Sequence, residues 1–246
     1  MIYTQDCITG MQQHIQDNSI DLVFTDPPYG INGDKLDAHY NRDESNVVPG
    51  YVEVPLETYD EFSRQWITEC ARCLRPGGSI YIVSGYTNLH HILNALHSTE
   101  LQEINHLVAQ YTFGVYTKLK WVSAHYHILF WAKPGPRTFN TRFSDTKQSY
   151  QDRQSVQQLP RDYRPGKLKN KNQLSDSFID KYIEYSSRPK DLVMDPFGGS
   201  FSTKRSAERL GRRFVGFELN PNAVKEFAHT TSEPAQDSFN QLFDSI

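Results

Sequence analysis

Residues 21–30 read Asp-Leu-Val-Phe-Thr-Asp-Pro-Pro-Tyr-Gly. Three apolar residues lead toward a carboxylate at Asp26. Pro27 and Pro28 have no N–H to give and so end any ladder of strand hydrogen bonds. Tyr29 then sets an aromatic ring where a chain leaving a strand should turn into water. A second stretch, residues 192–221, reads LVMDPFGGSFSTKRSAERLGRRFVGFELNP. It carries an apolar run into Asp195, a glycine pair, a helix start and a further apolar run into Glu218. Glu218 lies 23 residues after Asp195. Glycines let backbone approach a ligand, and an acid about 20 residues on accepts from ribose hydroxyls. The helix N-terminus near Ser202 suits an anionic group. Taken alone, such a turn fits several nucleotide-type cofactors.

These residues need a scaffold. Four short apolar runs, residues 22–24, 79–83, 192–194 and 214–219, are continuous rather than alternating, which predicts buried parallel strands. They end near Asp26, Ser84, Asp195 and Glu218. In an open parallel sheet ligands bind beyond the carboxyl ends of the strands, so the four polar groups are expected to face one crevice. Strand ends are commonly polar, which explains any one of the four but not the proline after two of them. Helices are predicted over about 56–74, 88–97, 175–185 and 202–210. The first repeats Tyr59, Phe62, Trp66, Ile67 and Cys70 and stops at Arg75-Pro76-Gly77-Gly78; the last is closed by Gly211. Residues 104–132 predict two more strands, antiparallel at a sheet edge. Residues 30–50 and 135–172 read as loops long enough to be functional or disordered.

At 246 residues and 37% hydrophobic, the chain fits one large α/β domain with a substantial core. No run of 18 apolar residues predicts a membrane span, and no secretory signal pattern opens the sequence. Cys7, Cys70 and Cys73 suit a reducing cytoplasm. Cys70 and Cys73 form a C-x-x-C inside a predicted helix with no second pair, so two helix-face residues are expected and no metal site. The net charge of −3 is unevenly spread. Residues 133–171 hold ten Lys or Arg against three acids, a local +7 that leaves −10 on the rest. Phe139, Phe143, Tyr150 and Tyr163 interleave with these charges. Basic groups among aromatics suit nucleic acid, although a solvated loop has the same composition. Arg137, Arg142, Arg153, Arg161, Arg164 and Lys167 are the candidate nucleic-acid contacts.

The TDPPYG at 25–30, DPFGGS at 195–200 and GFELNP at 216–221 together resemble the amino-methyltransferases of DNA. Catalytic motif first and cofactor motif last is similar to the β group of that family. The likeness extends over most of the chain, through Asp6 and Cys7 near the start, LRPGGSIYI at 74–82 and HILFWAK at 127–133. It implies a Rossmann-like class I methyltransferase fold, a mostly parallel twisted α/β sheet with helices on both faces. Residues 1–246 would form a single domain. Its catalytic region is 21–50, its target-recognition segment about 133–172 and its cofactor region 173–228. The implied activity is S-adenosyl-L-methionine-dependent methylation of the adenine N6 amine in a specific sequence of double-stranded DNA. The likeness assigns catalysis to Asp26, Pro27, Pro28 and Tyr29. It assigns the cofactor to Asp6, Cys7, Asp195, Phe197, Gly199, Ser200, Glu218 and Asn220. A homodimer and a separately acting restriction endonuclease are the further partners it allows, in a prokaryotic or phage-infected cytoplasm. Three departures stand out. Phe201 occupies the position of a motif glycine, no proline follows Lys171-Asn172-Gln173, and no large separate recognition domain fits in this length.

The implied chemistry explains the odd turn. An exocyclic adenine amine is a poor nucleophile because its lone pair is delocalised into the ring. The Asp26 carboxylate and the Pro27 carbonyl would accept its two N–H bonds and free that lone pair. Tyr29 would stack on the flipped base, and Tyr29 or Phe197 would face the sulfonium cation. Cytosine N4 needs the same acceptors, although cytosine enzymes more often carry Ser in place of Asp26. An RNA adenine methyltransferase and an inactive DNA-binding homologue are further readings. A dinucleotide oxidoreductase fits the glycine turn but gives no reason for Pro27-Pro28-Tyr29.

Overall fold

The computed structural model describes residues 1–31, 53–111, 118–143, 146–159 and 174–230. The described strands are β1 (Ile2–Tyr3), β2 (Ile20–Thr25), β3 (Leu74–Ser84), β4 (Gln102–Gln110), β5 (His125–Ala132), β6 (Arg142–Phe143), β7 (Thr146–Lys147), β8 (Val156–Gln158), β9 (Leu192–Asp195) and β10 (Arg213–Phe217). The helices are α1 (Cys7–His14), α2 (Leu56–Cys73), α3 (Leu89–His97), α4 (Asp176–Ser186), α5 (Ser202–Arg209) and α6 (Pro221–Phe227). Eight strands form one sheet in the order β1-β10-β9-β2-β3-β5-β4-β8. Pairing is parallel throughout except on both sides of β5, which runs against its neighbours. The chain leaves β2 toward β3 on one side and β9 toward β10 on the other. A crevice therefore opens between the carboxyl ends of β2 and β9.

Each face of the sheet buries its own apolar layer. Met11, Trp66, Ile67, Ile80, Ile92 and Trp131 pack on one face. Phe24, Tyr81, Phe130, Phe178, Ile183 and Phe214 pack on the other. Each such side chain contributes about 1.5–3 kcal/mol when fully buried. Helix α2 presents Tyr59, Ser63, Trp66, Ile67 and Cys70 at three- and four-residue spacing, so one stripe enters the core. Asp6 caps α1 through Thr9 N–H (2.9 Å), and Ser175 caps α4 through Phe178 N–H (3.3 Å). Cys7, Cys70 and Cys73 are buried free thiols.

Two expectations about the elements need correction. The strand predicted over 79–83 begins earlier, at Leu74, so the Arg75-Pro76-Gly77-Gly78 stretch that follows the end of α2 lies inside β3. Leu74 pairs with Ile20 and Ser79 with Leu22, so the residues between them bulge from the ladder. Gly77 sits there at φ +76°, where a Cβ would lie 2.0 Å from the Pro136 carbonyl oxygen. Proline and glycine thus mark the bulge as well as the end of the helix. Strands β4 and β5 do form an antiparallel pair, but β8 occupies the outer edge alongside β4, with Val108 opposite Val156. The basic segment therefore contributes a strand where the sequence reads as loop.

Candidate active site

Strands β2, β3, β9 and β10 run parallel, and their carboxyl ends bring Asp26, Ser84, Asp195 and Glu218 to one edge of the sheet. The Asp26 carboxylate accepts a hydrogen bond from the Tyr29 hydroxyl at 2.7 Å. Burial pushes the Asp26 carboxyl up to about 7, against the opposing pull of that hydrogen bond. The next carbonyls are held by side chains from other elements. Tyr59 donates to the Pro28 carbonyl at 2.7 Å. Asn88 donates to the Tyr29 and Gly30 carbonyls at 2.7 and 3.0 Å. Gly30 N–H donates to Glu53 Oε1 at 2.8 Å. Gly30 takes φ +65°, and a Cβ there would meet the Tyr59 ring at 2.6 Å, so both conformation and space demand glycine. Among the described residues no donor reaches the Pro27 carbonyl.

The second turn is joined to the first. The Thr25 hydroxyl donates to Asp195 Oδ1 at 2.7 Å. Phe197 N–H donates to the same oxygen at 3.1 Å. Burial raises Asp195 to about 7, with the Thr25, Thr203 and Phe197 hydrogen bonds opposing the shift. Glu218 accepts from Gly199 N–H (2.7 Å) and from Asn220 N–H (2.8 Å), one on each oxygen. Asn220 in turn caps α6 through Asn222 N–H. Phe197 lies edge-on to Trp66 with centroids 5.2 Å apart. The Ser200 hydroxyl meets that of Ser202, and its carbonyl accepts from Arg205. Asp6 is the α1 cap, and the buried Cys7 thiol is raised well above its usual value by desolvation.

Phe201, the departure from the glycine motif, is fully buried at φ +57°. Left-handed backbone costs a side chain roughly 1–2 kcal/mol. Burial of the phenyl ring returns about 1.5–3 kcal/mol, which accounts for its tolerance. The ring fills the space above Gly198, where a Cβ would approach it to 2.6 Å.

The basic segment is distributed differently. Lys133 is bound to Asn18, the Ala71 carbonyl and Glu100, at the sheet end away from Asp26. Exposed Arg137 stands 5.4 Å from the Phe130 ring centre and follows Pro136, which packs on Gly77. Neither joins the Asp26 edge. Arg142 is exposed in β6, opposite Lys147, and Arg153 is exposed at a single 3-10 turn. Arg161, Arg164 and Lys167 lie outside the described residues.

Thr25, Glu53, Tyr59 and Asn88 were not legible as site residues in the sequence. Tyr59 is part of the apolar stripe of α2, and only its hydroxyl marks a second task. Asn88 carries a signal: it follows a strand end, where a side-chain amide can tie a turn. Tyr126 on β5 is also brought in, 6.5 Å from Tyr29 between centroids, with Tyr111 5.0 Å beyond it.

The model of a family described as DNA methylase, of the N6/N4 type, matches residues 20–229. The chain belongs to the N6/N4 DNA methylase family. The type II methyltransferase M.HpaI of Haemophilus parainfluenzae is 30% identical over 95% of this chain and 73% of its own length. M.HinfI of Haemophilus influenzae is 30% identical over 87% of this chain and 63% of its own. The chain spans from 56% to 73% of the length of the curated relatives it matches. The solved PvuII DNA methyltransferase, described as cytosine-N4-specific, shares the fold. Its TM-score is 0.70 at 16% identity, over 95% of this chain and 87% of that one. Among the described residues no helix is long and apolar enough to cross a membrane, and no group of three or more His, Cys, Asp or Glu could hold a metal ion.

Proposed function

We propose that this N6/N4 DNA methylase transfers a methyl group from S-adenosyl-L-methionine to the exocyclic N6 amine of adenine in a specific sequence of double-stranded DNA. The observation that carries the reading is the junction of the two turns. Asp26 and the Pro27 carbonyl, which no described donor reaches, stand next to the Asp195-to-Ser200 turn, with Thr25 bonded across to Asp195 at 2.7 Å. The donor set suits the cofactor: Glu218 lies at the β10 end beside the open face of Gly199, and Phe197 offers a half-buried ring. When bound, S-adenosylmethionine supplies an electrophilic methyl group on a sulfonium. Glu218 and Asn220 hold the adenosine end, Asp195, Phe197 and Gly199 shape the pocket floor, and Asp6 and Cys7 border it.

Asp26 and Pro27 accept the two N–H bonds of the flipped base. Tyr29 now donates to Asp26, so the entering amine shares or displaces that bond, and the Tyr29 ring swings to stack on the base. An Asp26 carboxyl near 7 is matched to accepting the proton that the amine sheds once it carries the methyl. Thus the rate derives from positioning and electrostatics. Adenine is favoured over cytosine because Asp26 stands where cytosine enzymes of the family more often carry serine. The basic segment, with Arg142 and Arg153, and with Arg161, Arg164 and Lys167, supplies phosphate contacts. Unmethylated phage DNA incubated with the protein and labelled cofactor, digested to nucleosides and weighed by mass spectrometry, tests the reading. N6-methyl-2′-deoxyadenosine is expected; N4-methyl-2′-deoxycytidine would reassign the base, and neither product would refute the activity.

A further inference from the structure

Residues 104–144 contain no Asp or Glu but carry Lys118, Lys120, Lys133, Arg137 and Arg142. Within this acid-free run, residues 118–122 read Lys-Leu-Lys-Trp-Val. Leu119 is 99% exposed and Trp121 95% exposed, with Val122 also in solvent. Single exposed apolar residues are ordinary, but an exposed indole between exposed aliphatic neighbours is not. The other two tryptophans, Trp66 and Trp131, are buried.

The place of this tip in the fold is what gives it meaning. It joins β4 to β5, whose pairing closes with Tyr111 N–H donating to the Ala124 carbonyl at 2.9 Å. Gln110 pairs with His125, and His127 pairs with Ser84, so the tip rises from the same sheet edge as Asp26. Tyr126 is in ring contact with Tyr29. Trp121 lies five positions before Tyr126, a reach of roughly 17 Å at most for extended chain. An indole flanked by lysines is thus held within a few base-pair rises of the candidate base-accepting turn.

We infer that Trp121 is a wedge that enters the DNA stack next to the flipped base, while Lys118 and Lys120 hold the flanking phosphates. The inference rests on the methyltransferase reading above. Apolar side chains inserted between base steps compensate for unstacking. Base–aromatic stacking is worth roughly five- to a hundredfold in affinity for each base. A wedge of this kind would lower the cost of taking a base out of the duplex, which the Asp26 turn requires of its substrate. The occupant is DNA rather than protein because the whole 104–144 run is cationic.

Two measurements decide it. The first is acrylamide quenching of tryptophan fluorescence with and without unmethylated phage DNA. Since Trp66 and Trp131 are buried, the quenchable component reports Trp121, and DNA is expected to remove it. The second is methyl transfer to the same DNA by Trp121→Ala and Trp121→Phe, with cofactor affinity measured by calorimetry. Trp121→Ala should lose roughly tenfold or more in kcat/KM, Trp121→Phe should retain most of it, and neither should change cofactor affinity. Unchanged quenching on adding DNA, or a fully active Trp121→Ala, overturns the wedge. Shielding that grows with protein concentration in the absence of DNA overturns it in favour of a contact between copies of the chain. A wild-type protein that leaves phage DNA unmethylated removes the underlying reading, and the wedge with it, whereas an active wild type with an equally active Trp121→Ala removes the wedge alone.

Discussion

The two Asp-Pro turns of this protein look alike in sequence but use their acids differently. After β2, the turn at Asp26 is fixed from outside: Tyr59, Asn88 and Glu53 bind the backbone of Pro28, Tyr29 and Gly30. Among the described residues its own acid is engaged only by the neighbouring Tyr29 hydroxyl. After β9, the turn at Asp195 uses its own acid as a support: Asp195 accepts from Phe197 and from Thr25 of β2, while Glu218 at the end of β10 accepts from Gly199 and Asn220. Burial raises both aspartates to about 7. The difference lies in what each carboxyl has left to offer. Borrowed supports leave Asp26 open to a ligand, whereas Asp195 is already committed to Thr25, Thr203 and the Phe197 backbone.

The sharpest way to break this contrast is at Asp26. Asp26→Ala should lower methyl transfer by roughly 10²–10⁴-fold, the usual range for a proton acceptor, while cofactor affinity by calorimetry stays unchanged. An equal loss of affinity would place Asp26 in the cofactor pocket. In the wild type the carboxylate form is the competent one, so kcat/KM should rise as pH passes upward through about 7 and then level off. Asp26→Asn should be slow and lack that limb.

The second turn should respond in affinity instead. Glu218→Ala removes an acid that organises two backbone N–H groups. Hydrogen bonds to charged groups are worth about 1.5–3 kcal/mol, so the cofactor dissociation constant should rise at least roughly tenfold. An unchanged constant would take Glu218 out of the pocket.

A milder probe is the outside support itself. Asn88→Ala frees the Tyr29 and Gly30 carbonyls, two bonds of about 1 kcal/mol each. It should reduce kcat by roughly tenfold with cofactor affinity intact. If affinity falls and kcat holds, Asn88 serves the other turn.

The smallest effect should come from Phe201→Gly. It relieves left-handed strain but empties a core position, for a net loss of about 2 kcal/mol. The melting temperature should drop by roughly 4–8 °C, with little change in rate at low temperature. A rise in melting temperature would mean that strain outweighs packing there.

Much of this was readable in advance because it depends on local pattern. Continuous apolar runs marked the four central strands, and their polar endings placed Asp26, Asp195 and Glu218 on one edge, since parallel strands share a direction. Asp-Pro-Pro-Tyr and the glycine turn marked the candidate site because proline and glycine act on the backbone they occupy. Helical spacing also puts Cys70 and Cys73 of the C-x-x-C on the buried face of α2. What sequence could not supply were relations across the chain. Asn88 reaches Tyr29 over 59 positions, Thr25 reaches Asp195 over 170, and β8 joins β4 from inside a polar segment. No local periodicity encodes such pairings, because each depends on which strands the fold sets side by side. The role of the 118–122 tip is of the same kind. Its lysines and tryptophan are plain in the sequence, but only the antiparallel turn of β5 brings them to the edge where Asp26 stands.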